Sequence, residues 1–270
     1  MEQAWDRVAE VAPESWPALQ KRAYDLRVAE KWAESEAVAR QVLESGPLSL
    51  ERAGSLMNLL FTVGRIDEAI ELEAQVLALE PRWMWVSRDQ QMHFYAAERF
   101  EEAEVEYERS QTLDGDRSMP NFLALLRGLA RQDTDPQTLP ELFKGAASPL
   151  DAQPQWVHDF GAAIPNRDEM LAILRRAFEA GEVVDPELAD ALGDRDLALS
   201  ALRHRIIPAR DGMIKINVWW QAWMLVHSGA RADPRFKELI REAGLADYWR
   251  QSGKWPNFCG PKGKDDFECH

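Results

Sequence analysis

The sequence predicts an all-α protein built from stacked helical hairpins. Three observations carry that expectation. Apolar residues recur at helical spacing through most of the chain,. A 34-residue period relates EKWAESEAVARQVLESGP (30–47) to GRIDEAIELEAQVLALEP (64–81),. No run of alternating apolar and polar residues rises above this background to announce a strand,. The 270 residues, 46% of them hydrophobic, suffice for one sizeable core or an elongated array,.

The period is visible position by position. Val42 and Val76, Leu43 and Leu77, and Pro47 and Pro81 fall 34 residues apart. So do Trp32, Ile66 and Phe100, and then Ser35, Ala69 and Ala103. A small residue lets two antiparallel helices approach closely, and the bulky one fills the space beside them. Gly64 permits the tight turn between the helices of a pair. Pro47 and Pro81 end each unit because proline cannot continue a helix. This pattern resembles the tetratricopeptide repeat, a helix–turn–helix unit of the same length. Ala53 and Ser87 stand where that repeat usually has a large aromatic, and the third unit closes on Asp114-Gly115-Asp116 instead of proline.

Stepping back 34 residues from Pro47 reaches Pro13, so the chain would begin at a repeat's second helix. Two readings stay open: a piece of a longer protein, or a lone amino-terminal cap. The closeness of the phase favours the first.

Beyond residue 116 the period fades but helix pairs continue. Residues 119–132 have helical spacing, and Asp135-Pro136 is a helix-start signal ahead of TLPELFKGA. After a loop over 146–155, helices are expected at 156–164, 166–181, 185–193 and 195–206. The segment IKINVWWQAWMLVHSG (214–229) reads as one long helix, apolar nearly all round and hence buried. The expected divisions are regular repeats over 1–117, divergent helix pairs over 118–212, carboxy-terminal helices and an aromatic cap over 213–259, and a polar tail over 260–270.

The cap is DPRFKELIREAGLADYWRQSGKWPNFC (233–259). Asp233-Pro234 starts a helix, Gly244 stops it, and Tyr248, Trp249 and Trp255 crowd the following turns. Stacked pairs leave an apolar end face, which such a segment would cover. Trp219, Trp220 and Trp223 are its expected partners. The string also resembles the carboxy-terminal signature of a group of bacterial tetratricopeptide-repeat proteins. The matching residues are Asp233, Pro234, Arg235, Phe236, Gly244, Leu245, Asp247, Tyr248, Trp249, Arg250, Gly253, Trp255, Pro256, Phe258 and Cys259, whereas Asn257 departs from the expected Asp. In that group the repeats often follow a winged-helix, TolB-like or adenylate-cyclase domain. The resemblance implies a sensory or regulatory module, no catalytic residues in this segment, and an output domain ahead of it.

Repeat arrays of this kind bind peptides or protein segments on the face lined by the first helix of each pair. The expected groove residues are Gln20, Lys21, Tyr24 and Arg27, then Ser55, Asn58 and Phe61, then Trp85, Arg88, Asp89, Met92 and Tyr95. Tyr24, Asn58 and Met92 share one phase; Arg27, Phe61 and Tyr95 share another. Aromatic and arginine side chains supply much of the binding energy of interfaces. Packing within the repeats is the competing role, above all for Phe61 and Met92. The Lys and Asn of a carboxylate clamp are missing apart from Asn58.

Other chemistry is excluded or unsupported. A net charge of −14 opposes a nucleic-acid or anionic-membrane surface,. His93, His158, His204, His227 and His270 form no metal-binding spacing, and no cofactor or metal is expected,. His204 and His227 read as structural residues on helices. Neither a phosphate-binding glycine loop nor a nucleophile elbow is present, so no enzyme is expected. Two cysteines, Cys259 and Cys269, imply no disulfide framework and fit a reducing compartment,. Cys259 reads as a small apolar residue of the cap. A cytoplasmic location is expected, with the periplasmic part of an anchored regulator as the alternative. The expected partner is a protein or peptide segment; a second copy of the chain, meeting through the Trp-rich end, is the alternative.

Overall fold

A computed structural model describes residues 7, 10–113, 118–131, 137–146, 153–210 and 219–270. Of residues 84, 85, 111, 118–120 and 207–210 only the backbone is described. The chain is predominantly helical, and consecutive helices pack as antiparallel neighbours. It divides into two compact units. The first comprises Met1–Arg82, Pro208–Trp220 and Lys237–His270; the second comprises Trp83–Ile207 and Gln221–Phe236. The Asp135-Pro136 helix start and the segment 211–218 lie outside the described residues.

The first unit opens with two helix pairs: α1 (Trp16–Val28) with α2 (Trp32–Glu44), and α3 (Leu50–Thr62) with α4 (Ile66–Leu79). Pro17 begins α1 in the position where a missing N–H costs nothing,. The expected small-residue contact is present, since Ser35 is buried and its Oγ donates to Ala23 O at 2.8 Å. Ile66 and Ala69 are fully buried at the corresponding places of the next pair. Both helices of the second pair end ahead of the residues that break them, α3 before Gly64 and α4 before Pro81.

The period is also written into the backbone. Glu30, Gly64 and Glu98, each 34 residues from the next, all have positive φ: 56°, 79° and 60°. After each, the next amide reaches back to close the helix end: Lys31 N to Leu26 O, Arg65 N to Leu60 O, and Arg99 N to Phe94 O, at 2.8–2.9 Å,. The basic residue at each joint also pairs with a glutamate three residues on: Lys31 with Glu34, Arg65 with Glu68, Arg99 with Glu102. Three joints are therefore built to one plan, two of them without glycine.

The carboxy-terminal part of the first unit fastens onto these pairs. It contains α15 (Leu245–Ser252) and an antiparallel hairpin of β1 (Cys259–Lys262) and β2 (Asp266–Cys269). The Trp249 indole N–H donates to Val63 O at 2.9 Å, and the Trp32 indole donates to Ala243 O at 2.7 Å. At the centre is Arg65, whose side chain is almost wholly buried. It grips Glu68 with two bonds of 2.6 Å, donates to Glu36 at 2.9 Å and to the Tyr248 hydroxyl at 2.6 Å. Tyr248 in turn donates to Glu36 at 2.6 Å. A buried cation is tolerable only when paired and hydrogen-bonded, which fixes where Tyr248 must lie.

Two expectations are corrected here. The residues after 259 are not a polar tail but a hairpin, whose Phe267 is 0% exposed and packs against Trp249 and Trp255. Cys259 and Cys269 face each other across the two strands and form a disulfide, so the two-cysteine count did imply a cross-link. Gly263, with φ of 69°, makes the reversal possible,. Trp249 and Trp255 take a ring partner from the tail, at Phe267, while Trp223 meets the cap at Phe236, 6.0 Å between centroids, as expected.

The second unit contains α5 (Met84–Ala96), α6 (Phe100–Leu113), α7 (Ser118–Ala130), α8 (Thr138–Ala146), α9 (Gln155–Ala163), α10 (Arg167–Glu179), α11 (Pro186–Ala191) and α12 (Arg195–Arg210). Leu126, Phe160, Leu174, Ala198 and Leu202 are fully buried in its core. Asn166 caps α10 by accepting from Glu169 N, as its place before the helix demands,. The long helix expected over 214–229 is not formed as such. Among the described residues only α13 (Trp220–Trp223) is helical, and 224–229 run as turns. The amides of His227 and Ser228 go to the Asp190 carboxylate at 2.8 and 3.0 Å, and Gly229 adopts φ of 72°. An external acceptor has replaced the helical one. Nearby, buried Arg231 donates to Ala96 O and Trp223 O, both at 2.7 Å, and to Glu98 at 3.1 Å. Helix α14 (Pro234–Glu242), whose first turn belongs to the second unit and whose remainder belongs to the first, begins as its Asp-Pro signal predicts.

Glu36 carries a pH signature. Burial would raise its pKa, but hydrogen bonds from Tyr248, Arg40 and Arg65 outweigh burial and hold it at about 2. Its folded value lies below its unfolded value, so its contribution is present above about pH 4.5 and lost as pH falls toward 2. The difference corresponds to about 3 kcal/mol. In urea denaturation the wild-type chain should lose stability across that window relative to Glu36→Gln, and equal slopes would contradict the pairing. Thiol titration of the air-exposed, denatured chain should find no free thiol, and Cys259→Ser should destabilise the first unit by about 2–3 kcal/mol.

Candidate functional site

The expected groove residues divide between the units and meet different fates. In the first unit, Phe61 is only 4% exposed and belongs to the core, so it does not line a surface. Gln20 is held by its bond to Glu51 O, and Lys21 by its ion pair with Asp25 at 2.7 Å. Ser55 is half-buried. Asn58 is exposed and donates within its own helix, to Gly54 O at 2.9 Å. Tyr24 is 43% exposed, which is rare for a large apolar ring here.

Arg27 is the unusual member. Its guanidinium lies 5.4 Å from the Tyr24 ring centroid and makes no hydrogen bond or ion pair with any described residue. Its Nε is sequestered from solvent without a partner. Burial lowers its pKa to about 10 against the opposing effect of Tyr24. The repeat phase explains the burial: Arg27 occupies the place filled by Phe61 and Tyr95 one and two periods later. A cation has been put where the other pairs put an aromatic ring. Cation–π contact returns roughly 0.5–2 kcal/mol of its desolvation, less than a carboxylate would.

In the second unit, Arg88 and Asp89 are half-buried neighbours 3.8 Å apart, and burial raises the Asp89 pKa despite His93 and Arg88. Met92 is half-buried. The Trp85 side chain lies outside the described residues. Tyr95 is only 2% exposed, so it too is removed from the expected groove. Its hydroxyl meets His227 Nε2 at 2.6 Å.

His227, read from sequence as a structural helix residue, instead lies on a turn and lines an open cleft of about 630 Å³. The cleft is formed by the joint between α5 and α6, by the end of α7 and by the His227 turn. Its lining combines Phe100, Ala130 and His227 with the charged residues Glu98, Arg99, Glu101, Glu102, Arg127 and Arg131. The His227 ring is stacked parallel on Phe100, 5.7 Å between centroids, and edge-on to Tyr95. Burial lowers its pKa, opposed by Asp190 and Glu98. Burial thus favours the neutral form of the ring. Arg127 lies 5.7 Å from the Phe100 centroid and uses Nη1 for both of its hydrogen bonds, to Phe100 O and Glu104. Tyr95 and His227 are 132 residues apart, so no local motif could have paired them.

Behind the cleft lies a second buried acid. Glu187 is fully buried at the start of α11, and neither carboxyl oxygen accepts a hydrogen bond. Burial, reinforced by Asp185, pushes its pKa up to about 8. Among the described residues no cluster of histidine, cysteine and carboxylate side chains could hold a metal, and no helix is long and apolar enough to cross a membrane. Compared with protein-family models, curated proteins and solved structures, the chain matches none.

The sign of the Glu187 effect is opposite to that of Glu36. Its folded pKa is raised, so stability is greatest below about pH 4.5 and declines as pH rises toward 8. Glu187→Gln should therefore gain on the wild-type chain across that window, by at most about 1.4 kcal/mol per pH unit. Chemical denaturation at both ends of the window reads this difference directly; a gain that does not grow with pH would place the carboxyl in contact with water.

Proposed function

We propose that the chain is a non-catalytic, peptide-binding helical-repeat module of tetratricopeptide type, serving as the sensory or regulatory part of a bacterial regulator. The observation that carries this reading is Arg27. It is a half-buried guanidinium, its Nε shut off from solvent and no carboxylate paired with it among the described residues, beside an exposed tyrosine, on the first helix of a repeated pair. Such a cation is a strong anchor for a ligand carboxylate, because bonds between guanidinium and carboxylate are charge-assisted and can be bidentate. Tyr24 supplies contact area beside it, Asn58 is an exposed polar residue one period on, and Met92 holds the same phase, half-buried, in the second unit with Arg88 on the same helix. The resemblance of the repeats and of the carboxy-terminal signature to tetratricopeptide-repeat regulators supports the same reading.

The disulfide bears on compartment. Structural disulfides persist in oxidising surroundings, so the periplasmic alternative is favoured over the cytoplasm. The scaffold alternative has less to draw on. Trp219, Trp223 and Trp249 are buried within their own units, so they do not offer an exposed patch for a second copy.

Fluorescence anisotropy against a library of short peptides, each with a carboxylate or an amide terminus and with or without acidic side chains, tests the reading. Acidic peptides should be preferred, and Arg27→Ala should weaken the best of them by about tenfold or more while leaving the helical signal intact. Tyr24→Ala should weaken it less. Equal binding by Arg27→Ala, or self-association that accounts for all mass changes with concentration, would overturn it.

A further inference from the structure

The protons of the Tyr95–His227 pair can be assigned from satisfaction alone. The Tyr95 hydroxyl is enclosed, and its one hydrogen-bond partner is His227 Nε2. Were Nε2 to carry the imidazole proton and donate, the tyrosine proton would be buried without an acceptor, a cost of about 1–3 kcal/mol. The tyrosine therefore donates to Nε2. A neutral imidazole holds its one proton on the other nitrogen, so Nδ1 is an N–H donor. Nδ1 makes no hydrogen bond with any described residue and is open to solvent in the cleft. Stacking on Phe100 fixes its direction.

Arg127 contributes a second set of uncommitted donors. Its Nε and Nη2 make no hydrogen bond with any described residue, while Nη1 alone serves Phe100 O and Glu104. The surrounding acids set a limit on charge. Glu98 is paired with Arg231 and Glu102 with Arg99, but Glu101 stands on the rim without a partner among the described residues. Arg99 and Arg131 border the cleft as well, but Arg99 is paired with Glu102 and Arg131 is engaged elsewhere, so Arg127 and one neutral N–H are the donors open to a single negative charge. Glu98, Glu101 and Glu102 on the same rim oppose a second negative charge,. Phe100 and Ala130 in the lining suit an apolar body, and the volume is that of a small-molecule site,.

We propose that the cleft of the second unit binds a small organic monocarboxylate, its apolar body on Phe100 and Ala130 and its carboxylate held by His227 Nδ1–H and Arg127. This site is separate from the Arg27 face and does not rest on the peptide-binding reading.

The test uses the full chain, uniformly ¹⁵N-labelled, with benzoate as the probe and His227 resonances assigned through His227→Gln. Before any addition, the imidazole should show its proton on Nδ1. Benzoate should then shift the Nδ1 signal saturably, with a dissociation constant of about 1 mM for a probe of this size. Benzamide and inorganic phosphate should leave it unmoved. Arg127→Gln should weaken benzoate by about tenfold. Tyr95→Phe keeps the buried ring but removes the group that fixes the tautomer, and should weaken it by roughly threefold to tenfold. A proton on Nε2, a non-saturating shift, or equal response to benzamide or phosphate would each overturn the proposal. If Arg127→Gln fails to fold, Tyr95→Phe decides: an affinity equal to wild type sinks the idea.

Discussion

Arg65 is the constraint on which the first unit depends. Its guanidinium has been taken out of water, and a buried cation must be matched on every side or it unfolds its surroundings. Glu68 from the same joint takes one edge of the fork, while Glu36 from the preceding pair and Tyr248 from the carboxy-terminal helix take the other. One ion therefore records three segments that are far apart in sequence. The repeats alone would leave it short of partners. The aromatic segment around Tyr248 is required by charge as much as by apolar area.

The same logic runs through the second unit with different chemistry. Arg231 is buried among backbone carbonyls and Glu98, and Asp190 collects the amides of the turn at 227–228. A short segment without regular structure is thereby held as firmly as a helix. That firmness is what lets His227 face a cleft with a fixed ring plane.

Much of this architecture could be read from residue spacing. The joints at Gly64 and its equivalents, the proline stops, and the small residues at Ser35, Ala69 and Ala103 all act locally, and helical periodicity makes local causes visible. What escaped depends on partners distant in sequence. The segment 214–229 has every apolar feature of a helix, yet Asp190 takes its later amides. The hairpin strands are four residues long, too short to show alternation, and Cys259 and Phe267 alone carry their burial. Which repeat phase meets solvent was not legible. Arg27, Phe61 and Tyr95 share a phase, but whether that phase meets solvent depends on what covers it, which spacing does not encode. His227 offered no sequence signal at all, because its meaning comes from a tyrosine 132 residues away.

The left-handed joints hold one more consequence. Of the three, only Gly64 carries the residue that this backbone favours; Glu30 and Glu98 hold it at a cost of about 1 kcal/mol each,. Each of those glutamates spends its side chain on a late segment of its own unit, Glu30 on the Trp219 indole at 3.0 Å and Glu98 on Arg231. Relief of the backbone and retention of the latch are thus mutually exclusive at one residue. A drift to glycine there would make the isolated hairpin more comfortable and the finished unit looser. Selection for the repeat alone and selection for the assembled chain pull such positions in opposite directions, and this chain has settled with the assembly.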